Sequence, residues 1–376
     1  MLDHSRFREW LVAETLPIWL DKGCDRRDGG FHEKLNFDLT PITNEGKRVM
    51  VQARQCYVFA AFAGELPEAP SAAASGFDFL MSYGAHPEGG WRHRVARDGS
   101  PQDDSRDLYD QAFVLFAAAW MYAAFGRKDA LSAAKETLEY LDARRAHPSG
   151  GYSENILPGG DLAEGPRRQN PHMHLFEAVL ALFDATGDDA YLARAEALFD
   201  LARKKFIVDG TLREYFTDGL DPIKGTMGKI VEPGHHMEWV WLLHRYAALT
   251  DDRRAVESAT GLYNFALDHG YNATSGGLLD EVTSIGAVHR DSRRLWPQTE
   301  ALKGHLVRLE HADCGTVASR IDAGLDSLWR HHLVVGGGNW HEHIRADGTN
   351  FYGSLPASSL YHLSFAVAEL DRVSQS

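Results

Sequence analysis

The sequence predicts an all-α fold: an (α/α)6 barrel of twelve helices in six hairpin repeats, with short β-hairpins at one rim, formed by residues 1–376 as a single catalytic domain. Two observations carry this expectation. A Gly-Gly pair followed by an aromatic or apolar residue recurs as Gly29-Gly30-Phe31, Gly89-Gly90-Trp91, Gly150-Gly151-Tyr152, Gly276-Gly277-Leu278 and Gly337-Gly338-Asn339-Trp340, with a degenerate copy at Asp209-Gly210-Thr211-Leu212. Counted from 29, 89, 150, 209, 276 and 337, the intervals are 60, 61, 59, 67 and 61 residues. Between the copies lie apolar runs with helical spacing, such as Leu108, Ala112, Leu115, Ala119 and Tyr122 at steps of three and four.

Each signature is followed, roughly twenty residues on, by one helix of an inner set: Arg48–Phe62, Asp107–Phe125, Pro171–Phe183, His236–Tyr246, Trp296–Leu309 and Ser358–Leu370. An outer set fills the rest, at Arg6–Leu20, Ala69–Tyr83, Ala130–Ala143, Ala190–Phe206, Arg254–Asp268 and Thr316–His332. The glycines supply left-handed backbone for a tight turn between short strands. One hairpin cannot bury its apolar face alone, so the six must pack together. The chain opens on an outer helix and closes on an inner one, which favours a closed ring over an open superhelix.

Composition narrows the function classes. The chain is 44% hydrophobic and 24% charged, as in soluble globular proteins, and no run of eighteen apolar residues is expected to span a bilayer. A net charge of -14 argues against a nucleic-acid partner. Met1–Trp10 is polar rather than signal-like, which predicts a cytoplasmic protein without membrane contact. Cys24, Cys56 and Cys314 are too few and too scattered for a disulfide framework.

The inner helices would open at one mouth, and chemistry-bearing residues collect at their starts: Arg54, Asp107 with Tyr109 and Asp110, Asn170 with His172 and His174, His235 with Glu238, Trp296 with Glu300, and Tyr361 with His362. One residue from each, at 54, 109, 174, 235, 296 and 362, gives intervals of 55, 65, 61, 61 and 66, the period of the fold. His235 and Glu238 share a helix face at i and i+3, so the carboxylate can orient the imidazole and raise its basicity; the alternative is a helix cap and a dipole partner. His236 points elsewhere and reads as structural. His362 is either a core histidine or a base at the sixth mouth. His172 and His174 stand two apart, so on a helix they cannot share a metal ion, and no metal site is expected there, or at His341 and His343 unless those lie on a strand.

Arg54, on an apolar helix, offers fixed donors to an oxyanion or an ion pair to Asp107 or Asp110. Trp296, Trp91, Trp340 and Tyr109 could wall a sugar or simply fill the core. Arg167, Arg168, Arg293 and Arg294 could hold an anionic group or be solvated. Gly336-Gly337-Gly338 lacks the Lys-Ser or Lys-Thr of a phosphate loop.

Six motifs in order, RVMVQARQ (Arg48 to Gln55), DLYDQAF (Asp107 to Phe113), NPHMHLFEA (Asn170 to Ala178), PGHHMEW (Pro233 to Trp239), WPQTEA (Trp296 to Ala301) and Leu360 to His362, resemble the N-acylglucosamine 2-epimerase superfamily, which includes mannose isomerases and sulfoquinovose isomerase. The resemblance implies an (α/α)6 barrel and isomerisation or epimerisation of a sugar without metal or other cofactor. It implies that His235 and His362 are the acid/base pair, that Glu238 supports His235, and that Arg54 and His174 contact the reacting oxygens. Tyr109, Asn170, Trp296, Glu300 and Asp110 would complete the substrate site. Met50 stands where the family often has Trp, and His172 where it often has a small residue or an amide; no equivalent of the family's nucleotide-associated glycine-rich loop is present.

The expected reaction is aldose–ketose isomerisation of a free hexose, D-mannose to D-fructose, through a cis-enediolate, by a monomer or homodimer. A 2-epimerase is the alternative. A glycoside hydrolase using Asp107, Asp110, Glu238 and Glu300 is more remote.

Overall fold

A computed structural model of the chain describes residues 4–272, 276–309, 314–334 and 336–375. Among them run twelve helices: α1 (His4–Glu9, continued by a π-helical stretch Trp10–Thr15), α2 (Val49–Ala61), α3 (Ala69–Phe79), α4 (Leu108–Phe125), α5 (Lys128–Arg144), α6 (Gln169–Thr186), α7 (Asp189–Leu201), α8 (Pro233–Thr250), α9 (Arg253–His269), α10 (Leu295–Leu309), α11 (Cys314–His331) and α12 (Ser358–Gln375). The helix α8 starts earlier than its apolar period suggests, because a proline in the first turn has no amide hydrogen to waste.

The helices that follow a signature are buried on nearly every side rather than along one stripe. Every residue of α2 from Val49 to Ala60 is buried, and α4 buries Phe113, Val114 and Phe116 as well as Leu108, Ala112, Leu115 and Ala119 of the expected face, with Tyr122 partly exposed. Long and apolar enough to cross a membrane by length and composition, α4 has 67% of that window buried inside the molecule. The flanking helices keep one apolar face, as in α9 with Ala255, Ala259, Leu262, Tyr263 and Ala266.

The chain divides into two compact units. The first, residues 1–18, 206–214 and 224–376, contains α1 and α8–α12. Here α10 lies between α8 and α12, α9 covers α8, α11 covers α10, and α1 lies on α12. The two ends of the sequence meet in this unit: Arg8 pairs with Asp371 at 3.0 Å, and Trp10 and Thr15 donate to the carbonyls of Val334 and Gly338, both at 3.2 Å. The second unit, residues 19–205 and 215–223, contains α2–α7, with α4 between α2 and α6 and with α3, α5 and α7 covering them.

The glycine signatures are turns closed by isolated bridges, such as Ala85 to Trp91 and Ala146 to Tyr152. The ladders form instead between repeats. The strand before one core helix pairs antiparallel with the strand after the next signature: Arg106–Asp107 with Asn155–Ile156, and Arg293–Arg294 with His343–Ile344.

A side chain from the first turns of the core helix then pins five of the six turns. Gln52 accepts from the Phe31 amide and donates to its carbonyl, Gln111 does the same for Trp91 and Gln298 for Leu278, while His172 and His236 accept from the amides of Tyr152 and Leu212. Burial holds both histidines neutral, pulling each down to about 3. The turn must come close: a Cβ on Gly90 would meet the Gln111 Oε1 at 2.9 Å and Tyr140 at 2.5 Å. Gln111→Leu, which strands a buried donor and a buried acceptor at Trp91, is expected to lower the unfolding free energy by about 3 kcal/mol, read by urea denaturation.

Candidate active site

Two residues after the apolar position of the signature the sequence places an acid in five repeats, Glu33, Glu154, Glu214, Asp280 and Glu342, and His93 in the other. Glu33, Glu154, Glu214 and Asp280 receive the backbone amide at the start of a core helix, where the helix dipole also favours negative charge, while Glu342 accepts from the Ser359 hydroxyl and the Trp340 indole. Glu33 takes the Arg48 amide at 2.6 Å, Glu154 that of Arg168 at 2.9 Å, and Asp280 that of Arg294 at 2.8 Å. In each of those repeats the arginine side chain folds back onto the same carboxylate, at 2.9, 3.2 and 3.0 Å respectively.

The repeat that carries His235 departs from this pattern in one residue. Where those three have arginine it has Glu232, whose amide reaches Glu214 at 3.4 Å. The second Glu214 oxygen instead lies 3.0 Å from His235 Nδ1. Burial alone would strip the proton from this imidazole; the carboxylates of Glu214, Glu232 and Glu238 outweigh it and lift His235 to about 9. Its Nδ1 side is fixed by a carboxylate, so chemistry falls to Nε2. Glu238, expected to orient the ring, acts on it through charge, whereas the hydrogen bond is made by Glu214.

His362, on α12, is built the same way. Its Nδ1 is 2.8 Å from Glu300 Oε1, and the other Glu300 oxygen is 2.7 Å from the ammonium of Lys303, one turn further along α10. Trp296 joins the two imidazoles: its ring centroid is 4.9 Å from that of His235 and 5.7 Å from that of His362. Glu238 comes within 4.8 Å of both Glu300 and His362 through one atom of each. In the first unit, therefore, His235, Glu238, Trp296, Glu300 and His362 belong to one constellation. Its carboxylates Glu214 and Glu300 face imidazoles and an ammonium.

The second unit holds another polar group. His174 Nδ1 is 2.9 Å from Glu177 Oε2, and its ring lies edge-on to Tyr109 at 5.1 Å and against Phe113 at 4.5 Å. Arg54 donates to the Tyr109 hydroxyl at 2.8 Å and stacks over Phe113 at 4.1 Å. Asn170 stands at the start of the same helix as His174, its side-chain oxygen buried without a hydrogen-bond partner among the described residues. Asp110 is spoken for: one oxygen takes the Met50 amide at 3.1 Å and the other faces His93 Nδ1 at 2.8 Å, and burial raises the carboxyl to about 6 against the pull of His93. It ties α2 to α4 rather than reaching for a ligand.

Other candidates also resolve as structure. Trp91 and Trp340 are buried in their turns, donating to Thr137 and Glu342. Arg168 lies between Asp107 and Glu154 at 3.1 and 3.2 Å, Arg294 between Glu232 and Asp280 at 2.6 and 3.0 Å, and Arg167 donates to the carbonyls of Gly150 and Tyr152. Cys24 and Cys56 carry free thiols, and the Cys314 side chain lies outside the described residues.

Residues 29–366 match the model of the N-acylglucosamine 2-epimerase (GlcNAc 2-epimerase) family. The chain belongs to this family. A mannose-6-phosphate isomerase of Rhizobium meliloti (strain 1021) is 33% identical over 373 residues, 96% of this chain and 95% of the relative. Among solved structures, cellobiose 2-epimerase from Bacillus thermoamylovorans B4167 superposes with a TM-score of 0.90 at 20% identity, covering 99% of both chains, and a D-mannose isomerase with 0.89 at 22%, covering 98% and 97%. These likenesses show the fold, the (α/α)6 class that the repeat predicts. As a member of the N-acylglucosamine 2-epimerase family, the chain is an enzyme of the sugar isomerase and epimerase group.

Three carboxylates or cations of this family member's two clusters escape a reading of the helix starts alone: Glu177, Glu214 and Lys303. Glu177 and Lys303 each sit at i+3 from a residue singled out, and that spacing is the signal that could have found them. Glu214 is visible only once the acid two residues beyond each signature is recognised as part of the repeat.

Proposed function

We propose that this enzyme interconverts an aldose and a ketose, D-mannose and D-fructose, by metal-independent proton transfer. One observation carries the reading: two buried imidazoles, His235 and His362, are each fixed at Nδ1 by a carboxylate and both pack on Trp296. In the open-chain sugar, neutral His362 takes the C2 proton. The C–H electron pair becomes the C1–C2 double bond while the imidazolium of His235 protonates O1. His362 then returns its proton to C1 as the O2 proton passes to His235, which restores both groups and leaves the ketose. Arg54 and His174 take the role that resemblance gives them, contacts to the oxygens of the enediolate, with Tyr109 and Asn170 beside them.

The relative of 33% identity bears the name of a phosphorylated substrate. The arginines Arg168 and Arg294 are each held between two acids, which supports an unphosphorylated sugar for this chain. Family membership keeps 2-epimerisation as a second reading, with the proton returned to C2 from the opposite face. Incubation with mannose in D2O, followed by NMR, separates the two. Fructose is expected, carrying deuterium at C1 to the extent that the proton held on His362 exchanges with solvent before its return, and glucose carrying deuterium at C2 would make the enzyme an epimerase. Turnover of mannose is expected to exceed that of mannose 6-phosphate by at least about tenfold in kcat/KM, the size of one charge left without a partner; the reverse preference would overturn the neutral-sugar assignment.

A further inference from the structure

We propose that Lys303 is a positioning residue for the reaction proposed above: its buried ammonium balances the charge of Glu300, so that Glu300 orients His362 through Nδ1 without drawing a second proton onto the ring. The inference rests on the reading of His362 as the base.

Lys303 is 0% exposed, as is Glu300. Its Nζ lies 2.7 Å from Glu300 Oε2, and the opposite oxygen, Oε1, lies 2.8 Å from His362 Nδ1. The rings of Trp241 and Phe365 face the ammonium with centroids 4.6 and 4.2 Å away, an arrangement that offsets part of the cost of burying a cation. A buried ion pair is a poor stabiliser compared with an apolar side chain of similar volume. The neighbours of Lys303 are apolar and aromatic, so a methionine would suit packing there; the ammonium is kept for its charge.

The two imidazoles of the constellation differ in the charge behind their carboxylates. Behind Glu214 stands a second acid, Glu232, which pairs with Arg294 at 2.6 Å. Behind Glu300 stands Lys303. Burial by itself would push the Glu300 carboxyl up, and the Lys303 ammonium with the His362 imidazole reverses this and holds it below the usual carboxylate range. The other titratable groups that face the pair within this unit come from α8: Glu238, within 4.8 Å of Glu300 and His362, and His235 across Trp296. From α12 comes Tyr361, whose ring is 4.7 Å from that of His362. No side chain of α11 forms a hydrogen bond or ion pair with Glu300 among the described residues. Glu238 favours a charged His362, so removal of Lys303 leaves two carboxylates acting on the ring unopposed.

The test is the ionisation of His362 itself, read by NMR of the protein labelled with 15N in its histidines, with the His362 signals assigned by their loss in His362→Asn. At pH 7 the wild-type ring is expected to be neutral with its proton on Nδ1. In Lys303→Met the ring is expected to hold its second proton to a pH higher by about one or more. The acid limb of kcat/KM then moves up with it, a loss of about tenfold at the acid end, with KM spared. Lys303→Arg should keep the wild-type limb, and Glu300→Gln in the Lys303→Met background should bring it back.

A wild-type ring already doubly protonated at pH 7 overturns the proposal. So does a folded Lys303→Met enzyme whose His362 titrates within about 0.2 of the wild-type pH, since a purely structural lysine would change stability alone. If Lys303→Met does not fold, the wild-type spectrum and the double variant decide. The reading of His362 as base fails separately, if His362→Ala turns over sugar normally, and the NMR titration still reports on Lys303 in that event.

Discussion

His235→Ala and His362→Ala are each expected to lower kcat by about 100- to 10,000-fold, the range that a positioned acid or base contributes, while the helical circular dichroism stays that of the parent. The loss should fall on kcat more than on KM, because an imidazole that exchanges protons with the sugar stabilises the transition state beyond the ground state. The two variants are expected to respond oppositely to pH. In the proposed mechanism His235 acts as imidazolium, and its carboxylate neighbours let it keep its proton until pH climbs through about 9. The parent should therefore lose activity on the alkaline side near that pH, and His235→Ala should lose that limb along with most of its rate. Stability follows the same linkage. A histidine raised from 6.5 to about 9 by folding contributes stability that is complete below pH 6.5 and lost as pH rises through about 9. Near-parental turnover in both variants would remove the acid/base assignment and leave the pair as core histidines.

Much of this arrangement is legible in the sequence because the fold is a repeat. The period of about sixty residues fixes where each core helix begins, and with it the positions of His235, Trp296, Glu300 and His362, which the structure gathers in one unit. Legibility ends where a partner lies outside the helix. By spacing, Glu238 is the natural support for His235 because it is one turn away, yet the hydrogen bond comes from Glu214, 21 residues upstream beside the degenerate copy of the signature. Asp110 stands among pocket motifs but spends both oxygens on Met50 and His93. His172 resembles a site residue until it is aligned, with the structural His236, against Gln52, Gln111 and Gln298. An imidazole Nε2 and an amide Oε1 are both acceptors at the same reach, and the turn amide cannot tell them apart. Spacing gives the place of a side chain; which acceptor a buried donor takes depends on contacts made across repeats.

Glu214→Gln tests that dependence most directly. The amide keeps the size of the carboxylate and its one oxygen can still accept from His235 Nδ1, so what the ring loses is charge; the position that takes the Glu232 amide at 3.4 Å becomes a donor and gives up that weaker contact. With the Glu214 share of the attraction gone, the cost of burial left in place and Glu232 and Glu238 still present, His235 should fall from about 9 towards its ordinary value. At pH 7.5 most of the enzyme would then lack its acid, and kcat should drop on the order of tenfold if the histidine settles about one pH unit below the assay pH. Activity should recover as pH is lowered towards 5.5, because protonation of His235 is what was lost, and a flat profile at low activity would mean that geometry was broken instead. Glu238→Gln, which removes a smaller contribution at longer range, should shift the alkaline limb far less. The repeat supplies its own control. Glu154 caps its helix in the way Glu214 does but answers to Arg168 rather than to an imidazole, so Glu154→Gln should lower the denaturation midpoint and leave the limb where it is. An alkaline limb that stays near 9 in folded Glu214→Gln would mean that the acid is held by another group, and Glu232, which stands where three other repeats have arginine, would be the next to change.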